Sequence, residues 1–111
     1  PSVEEALKMA AEGEHYEWTD MYKRMSEEAK SEGFDKLAYQ VAAVAEIEKS
    51  HEDRYNTLSK NIKDSMVFER DGKVVWQCRN CGYLYEGTKA PELCPVCMHA
   101  KAFFELRMVN Y

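Results

Sequence analysis

Four cysteines, Cys78, Cys81, Cys94 and Cys97, form two Cys-x-x-Cys pairs separated by 12 residues. That spacing makes two knuckles for one tetrahedral thiolate site, because each short pair lets the backbone curl around an ion and aim amide N–H groups at sulfur. Gly82 follows the first pair, where a positive φ is often required. Disulfide cysteines staple distant segments, whereas this clustering suits metal ligation in a reducing compartment. Ligand type alone leaves zinc and iron both open. The aromatic residues nearby, Trp76, Tyr83, Tyr85, Phe103 and Phe104, would shelter a redox iron and would equally build a small apolar core.

A second group lies in the first half of the chain. Leu37, Val41, Val44, Glu48, His51, Tyr55, Leu58 and Ile62 follow one another at helical seam spacing, and only Glu48 and His51 break the apolar run. Val3, Leu7, Ala10, Glu14, Glu17, Met21 and Met25 repeat the pattern, broken by Glu14 and Glu17. Glu14 and Glu17 stand 19 and 16 residues before Gly33, and Glu48 and His51 stand 15 and 18 after it. With a rise of about 1.5 Å per residue, an antiparallel hairpin turning at Gly33 brings both pairs to the same height. Buried carboxylates cost several kcal/mol each unless a strong positive partner is present. The bland alternative is a solvated stripe on a charged helix, but two paired breaks at matched height point to a metal. Three carboxylates and one imidazole form a hard, oxygen-rich set that suits iron or manganese better than structural zinc.

The elements that must carry these residues can be read from the same string. Ser2 and Glu5 have capping-box spacing, so a helix is expected from there to about Ser31, ending at Gly33. A second is expected from Asp35 to about Lys63. Beyond it, Met66–Glu69 and Val74–Gln77 flank Arg70-Asp71-Gly72-Lys73, and Asp-Gly is a strong signal for a tight β-hairpin. The expected division is residues 1–64 as a helical hairpin and 65–111 as a small β domain around the cysteines.

Composition narrows the partners. The 111 residues carry a formal charge of −5 with 32% charged residues, which argues against nucleic acid. No apolar run approaches the roughly 18 residues of a membrane span, and no signal-peptide pattern is present. A cytoplasmic location is expected. Pro1 rather than Met opens the sequence, from which processing or truncation is expected.

Both halves together resemble rubrerythrin. Gly13–Tyr22 is similar to the family's third bundle helix, Glu48-Lys49-Ser50-His51 to its fourth, and Val75–Tyr83 to the start of its rubredoxin-like domain. The Glu-x-x-His motif is that of ferritin-like di-iron bundles, which need two such motifs and further glutamates; this chain supplies one. The resemblance therefore implies a mainly α fold with a small β domain: half of a ferritin-like four-helix bundle, then a rubredoxin-like four-cysteine domain. It implies that Glu48 bridges two irons, that His51 and Glu14 are terminal ligands, and that Glu17 binds the other iron only in the oxidised state. Cys78, Cys81, Cys94 and Cys97 would hold one electron-transfer iron, with zinc as the alternative occupant.

The activity implied is reduction of hydrogen peroxide to water by a non-haem di-iron peroxidase, with electrons reaching it from NADH through a reductase. Glu17, Glu48 and Tyr22 are the candidate catalytic residues, Tyr22 as a hydrogen-bond donor to a ligand or peroxide. The rival function is an iron-storing or metal-sensing protein with a structural zinc ribbon. Either way the bundle needs two more helices, expected from a separate N-terminal fragment in preference to a second copy of this chain. The family's habits also imply a homo-oligomer of the assembled unit.

Overall fold

Ser2 and Glu5 start the first helix as a reciprocal cap: the Glu5 N–H donates to Ser2 Oγ at 3.1 Å and the Ser2 N–H to Glu5 Oε2 at 2.7 Å. In the computed structural model, which describes residues 1–111, the chain falls into two units, Pro1–Lys63 and Asp64–Tyr111.

The first unit is helical. Helix α1 spans Val3–Tyr16, a π-helical turn spans Glu17–Met21, and α2 continues over Tyr22–Ser31. Gly33, with φ of +87°, closes the end: the Gly33 N–H donates to the Lys30 carbonyl and the Phe34 N–H to Ala29. Helix α3 then runs over Asp35–Lys63. The buried residues of this unit are Ala11, Ala29 and Ala38, one on each of α1, α2 and α3. Two helices bury only a line of contact, so the apolar seam beside it stays half open: Leu37 and Leu58 remain 49% and 41% exposed. No helix is long and apolar enough to cross a membrane.

The second unit is a three-stranded antiparallel sheet in the order β2-β1-β3, with β1 at Glu69–Cys78, β2 at Leu84–Lys89 and β3 at Phe104–Leu106. A 3-10 turn, Lys101–Phe103, leads into β3. Trp76, Cys78, Ala90, Cys94 and Phe104 form its buried core, with Phe68, Val74, Tyr83 and Leu106 packed around it. The Trp76 indole N–H is satisfied by the Gly87 carbonyl at 3.1 Å.

The expected tight hairpin at Asp71-Gly72 does not form. Glu69 pairs with Lys89 and Val74 with Gly87, so both flanks lie along β2 and Arg70–Lys73 bulge out opposite Thr88. Beyond the bulge, Trp76 and Gln77 are paired on both edges, with β2 on one side and β3 on the other. A hairpin would have put Met66–Glu69 where one of those strands lies.

Candidate metal centres

The two cysteine knuckles are built alike. In the first, the Gly82 N–H donates to the Cys78 carbonyl at 2.8 Å and the Cys78 N–H to Tyr83 at 2.9 Å. In the second, the Met98 N–H donates to the Cys94 carbonyl at 2.9 Å and the Cys94 N–H to His99 at 2.8 Å. Gly82 and Met98 hold the same corner, at φ of +86° and +66°. Glycine tolerates that conformation freely, whereas at Met98 the chain accepts some strain to turn the second knuckle.

The knuckles bring four sulfurs together. Cys78 Sγ lies 3.7 Å from Cys97 Sγ, and Cys81 Sγ 3.6 Å from Cys94 Sγ, far beyond a disulfide bond. A tetrahedron with metal–sulfur bonds of about 2.3 Å has edges of about 3.8 Å, so the donor set fits one thiolate-bound ion. Without an ion the thiols titrate apart. The His99 backbone amide, assisted by the Asn80 and His99 side chains and by Cys94, pulls Cys97 down to about 5 against desolvation. At Cys81 the Tyr83 amide pulls the same way, yet desolvation and the other three thiols push it up to about 12. Four thiolates in one place require a cation.

The helical unit brings Glu14, Glu48 and His51 together, with a donor atom from each within 4.8 Å of the others. His51 Nδ1 lies 3.1 Å from Glu48 Oε2 and 3.7 Å from Glu14 Oε2. Glu14 Oε2 is buried and has no hydrogen-bond partner, a loss that a cation would repair. Hydrogen bonding with Glu48, desolvation, and repulsion from Glu48 and Glu17 together hold Glu14 up at about 7, against the pull of His51. The same contact, with His51, lowers Glu48. A three-ligand cluster with an orphaned carboxylate oxygen fits a hard metal ion and leaves coordination positions for further ligands.

Glu17 stands outside that trio, beside Glu48, whose carboxyl it helps to lower. It is the first residue of the π turn, whose Tyr22 N–H donates to the Glu17 carbonyl. One turn on from Glu17 is therefore Tyr22 rather than Met21. Tyr22 is half-buried.

Two sets of residues escaped the sequence reading. Asn80 and His99 assist Cys97, and their role depends on how the knuckles fold. Beside the carboxylates, Glu52 accepts from the Trp18 indole N–H at 2.6 Å and meets His15 Nδ1 at 3.1 Å. These repeat the spacing of the metal-binding candidates one position further along, which is the signal that could have revealed them.

Comparison with known proteins finds matches to both units. The family model "Rubrerythrin" matches residues 2–59, and "Rubrerythrin, rubredoxin-like domain" matches residues 76–105. A rubrerythrin of Porphyromonas gingivalis is 46% identical over 110 residues, covering 99% of this chain and 55% of that protein. One of Nitratidesulfovibrio vulgaris is 47% identical over 105 residues, covering 95% and 55%. Among solved structures, mixed-valence nigerythrin matches 96% of this chain and 50% of its own at 30% identity, with a TM-score of 0.55; another is described as fully reduced and all ferrous. The chain thus spans about half the length of the curated relatives it matches. Members of the matched family use iron. With both units matched and relatives identical at nearly half of their aligned positions, the chain belongs to the rubrerythrin family.

Proposed function

We propose that this chain is the electron-receiving and ligand-bearing half of a peroxidase that reduces hydrogen peroxide to water in oxidative-stress defence. The observation that carries the reading is the pairing, in one polypeptide, of a four-thiolate site with a Glu14–Glu48–His51 cluster whose buried carboxylate oxygen lacks a partner. Two ferrous ions held by the carboxylate cluster would supply the two electrons that cleave an O–O bond. Glu48, beside Glu14, Glu17 and His51, would serve both ions, and Glu14 and His51 would each hold one. Glu17, on the π turn and outside the trio, would be the carboxylate available to the metals in one redox state only. Tyr22, one π turn on, is assigned to hold the peroxide through its hydroxyl.

Cys78, Cys81, Cys94 and Cys97 would hold a single iron, which would supply one-electron relay from an NADH-linked reductase. Helices that complete the bundle come from the rest of the family's architecture or from a second copy, in a homo-oligomeric assembly. A reducing cytoplasm would keep the four thiols free.

NADH-coupled peroxide consumption tests the reading. Cys94→Ser should abolish turnover driven by the reductase while the helical unit stays folded by circular dichroism. Unchanged turnover in that variant would remove the relay from the mechanism. A colourless wild-type protein, lacking the red absorption of four-thiolate iron, would assign the cysteine site to zinc.

A further inference from the structure

His15, Trp18 and Glu52 tie the two long helical segments together beside the metal-binding candidates. The Trp18 Nε1–H donates to Glu52 Oε1 at 2.6 Å, and His15 Nδ1 lies 3.1 Å from both oxygens of the same carboxylate. An ionised carboxylate only accepts, so the His15 nitrogen is the donor. The two rings meet edge to face with centroids 5.5 Å apart, and Lys49 Nζ sits 5.4 Å over the Trp18 ring. Glu52 is mostly enclosed by these contacts, its side chain 17% exposed.

The placement is systematic. His15 and Trp18 each follow one residue after Glu14 and Glu17, and Lys49 and Glu52 each follow one residue after Glu48 and His51. Successive residues on a helix point about 100° apart, so the clamp forms a second row alongside the ligand row. It also straddles the start of the π turn, with His15 before it and Trp18 within it. A π turn inserts one residue of rotation into a helix, so the face that the preceding segment shows to α3 depends on the contacts that hold it. There the Thr19 hydroxyl donates to the His15 carbonyl at 2.5 Å, a back-bond of the kind that slightly destabilises and often bends a helix.

We propose that Glu52 is a positioning residue: by gripping Trp18 and His15 across the start of the π turn, it sets the rotation that aims Glu14 and Glu17 at Glu48 and His51. This rests on reading the latter four as metal ligands. Outer partners of this kind tune metal affinity without touching the metal.

The test is Fe(II) titration of the full assembled protein, its thiolate site already loaded as an internal reference. Glu52→Ala and Trp18→Phe should weaken Fe(II) binding at the carboxylate site about 10- to 100-fold and alter the ferrous ligand-field circular dichroism, with the thiolate absorption unchanged. Glu52→Gln keeps an acceptor for the Trp18 indole and should restore most of the affinity. Unaltered affinity and bands in both weakening variants would overturn the proposal. So would a loss that follows the fall in Tm and is not rescued by Glu52→Gln, which would leave Glu52 a stabilising residue only. If the unsubstituted protein bound Fe(II) at the thiolates alone, the ligand assignment would fall first, before any Glu52 variant was compared.

Discussion

Glu48 and burial raise the Glu14 carboxyl in the metal-free fold, and its proton must leave before it can serve as a ligand. Glu14 is raised from 4.5 to about 7, first through its hydrogen bond with Glu48. Between those two pH values the folded state binds more protons at Glu14 than the unfolded state, so this group's contribution to stability falls as pH rises through the window. The lowered Glu48 works in the opposite sense, in a separate window below its ordinary value of 4.5. Metal binding requires the ionised carboxylate, so uptake releases a proton and affinity should climb with pH up to about 7 and level off above. Fe(II) titrations at a series of pH values, with the thiolate site already loaded, check this; an affinity independent of pH would mean that Glu14 is not a ligand. The candidate ligands could be found in the sequence because each is a charge at an apolar seam position, a violation that needs a reason. Glu52 could be found only from the spacing it shares with the ligand row, whereas Asn80 and His99 break no pattern. Their parts are set by which side chains the fold brings within reach, and periodicity does not carry that information.

At the scale of elements, the helix ends were readable because local chemistry determines them: Ser2 with Glu5 caps one, and Gly33 takes the positive φ that ends another. The π turn at Glu17–Met21 was not readable. Glu17-Trp18-Thr19-Asp20-Met21 has no composition that forbids an ordinary α-helix, and the extra residue is stabilised by contacts from α3. The Asp71-Gly72 signal misled for a related reason, since pairing of β1 with two neighbours outweighed a local turn preference. The π turn yields a direct prediction. Deleting Thr19 should restore a continuous α-helix and turn Val3–Trp18 by about 100° relative to α2. The helical signal should persist while Fe(II) binding at the carboxylate site is lost and thiolate iron is retained. Retained binding at both sites would show that the π turn does not orient Glu14 and Glu17.

For the whole molecule, the two units meet different limits. The second closes a small core around Trp76, Phe104 and two of its cysteines, and a bound metal adds to that stability. The first has no such closure. Its buried residues are three alanines, while Val3 and Tyr39 stand 70% and 76% exposed and His51, a candidate ligand, has a side chain 47% exposed. Exposed apolar area on this scale marks a surface that another element covers, and Glu14, Glu48 and His51 provide too few donors to hold two irons. Metal loading and helix association should therefore be linked, because ligands from a covering helix contribute only once it docks. Sedimentation of the 111-residue chain with increasing Fe(II) tests this: the chain should be associated, and removing iron with a chelator should loosen the association while the thiolate site keeps its metal. Supplying the preceding helices of a related rubrerythrin should compete with self-association and raise iron content at the carboxylate site. A monomer that retained two irons there would mean that this hairpin completes the site unaided.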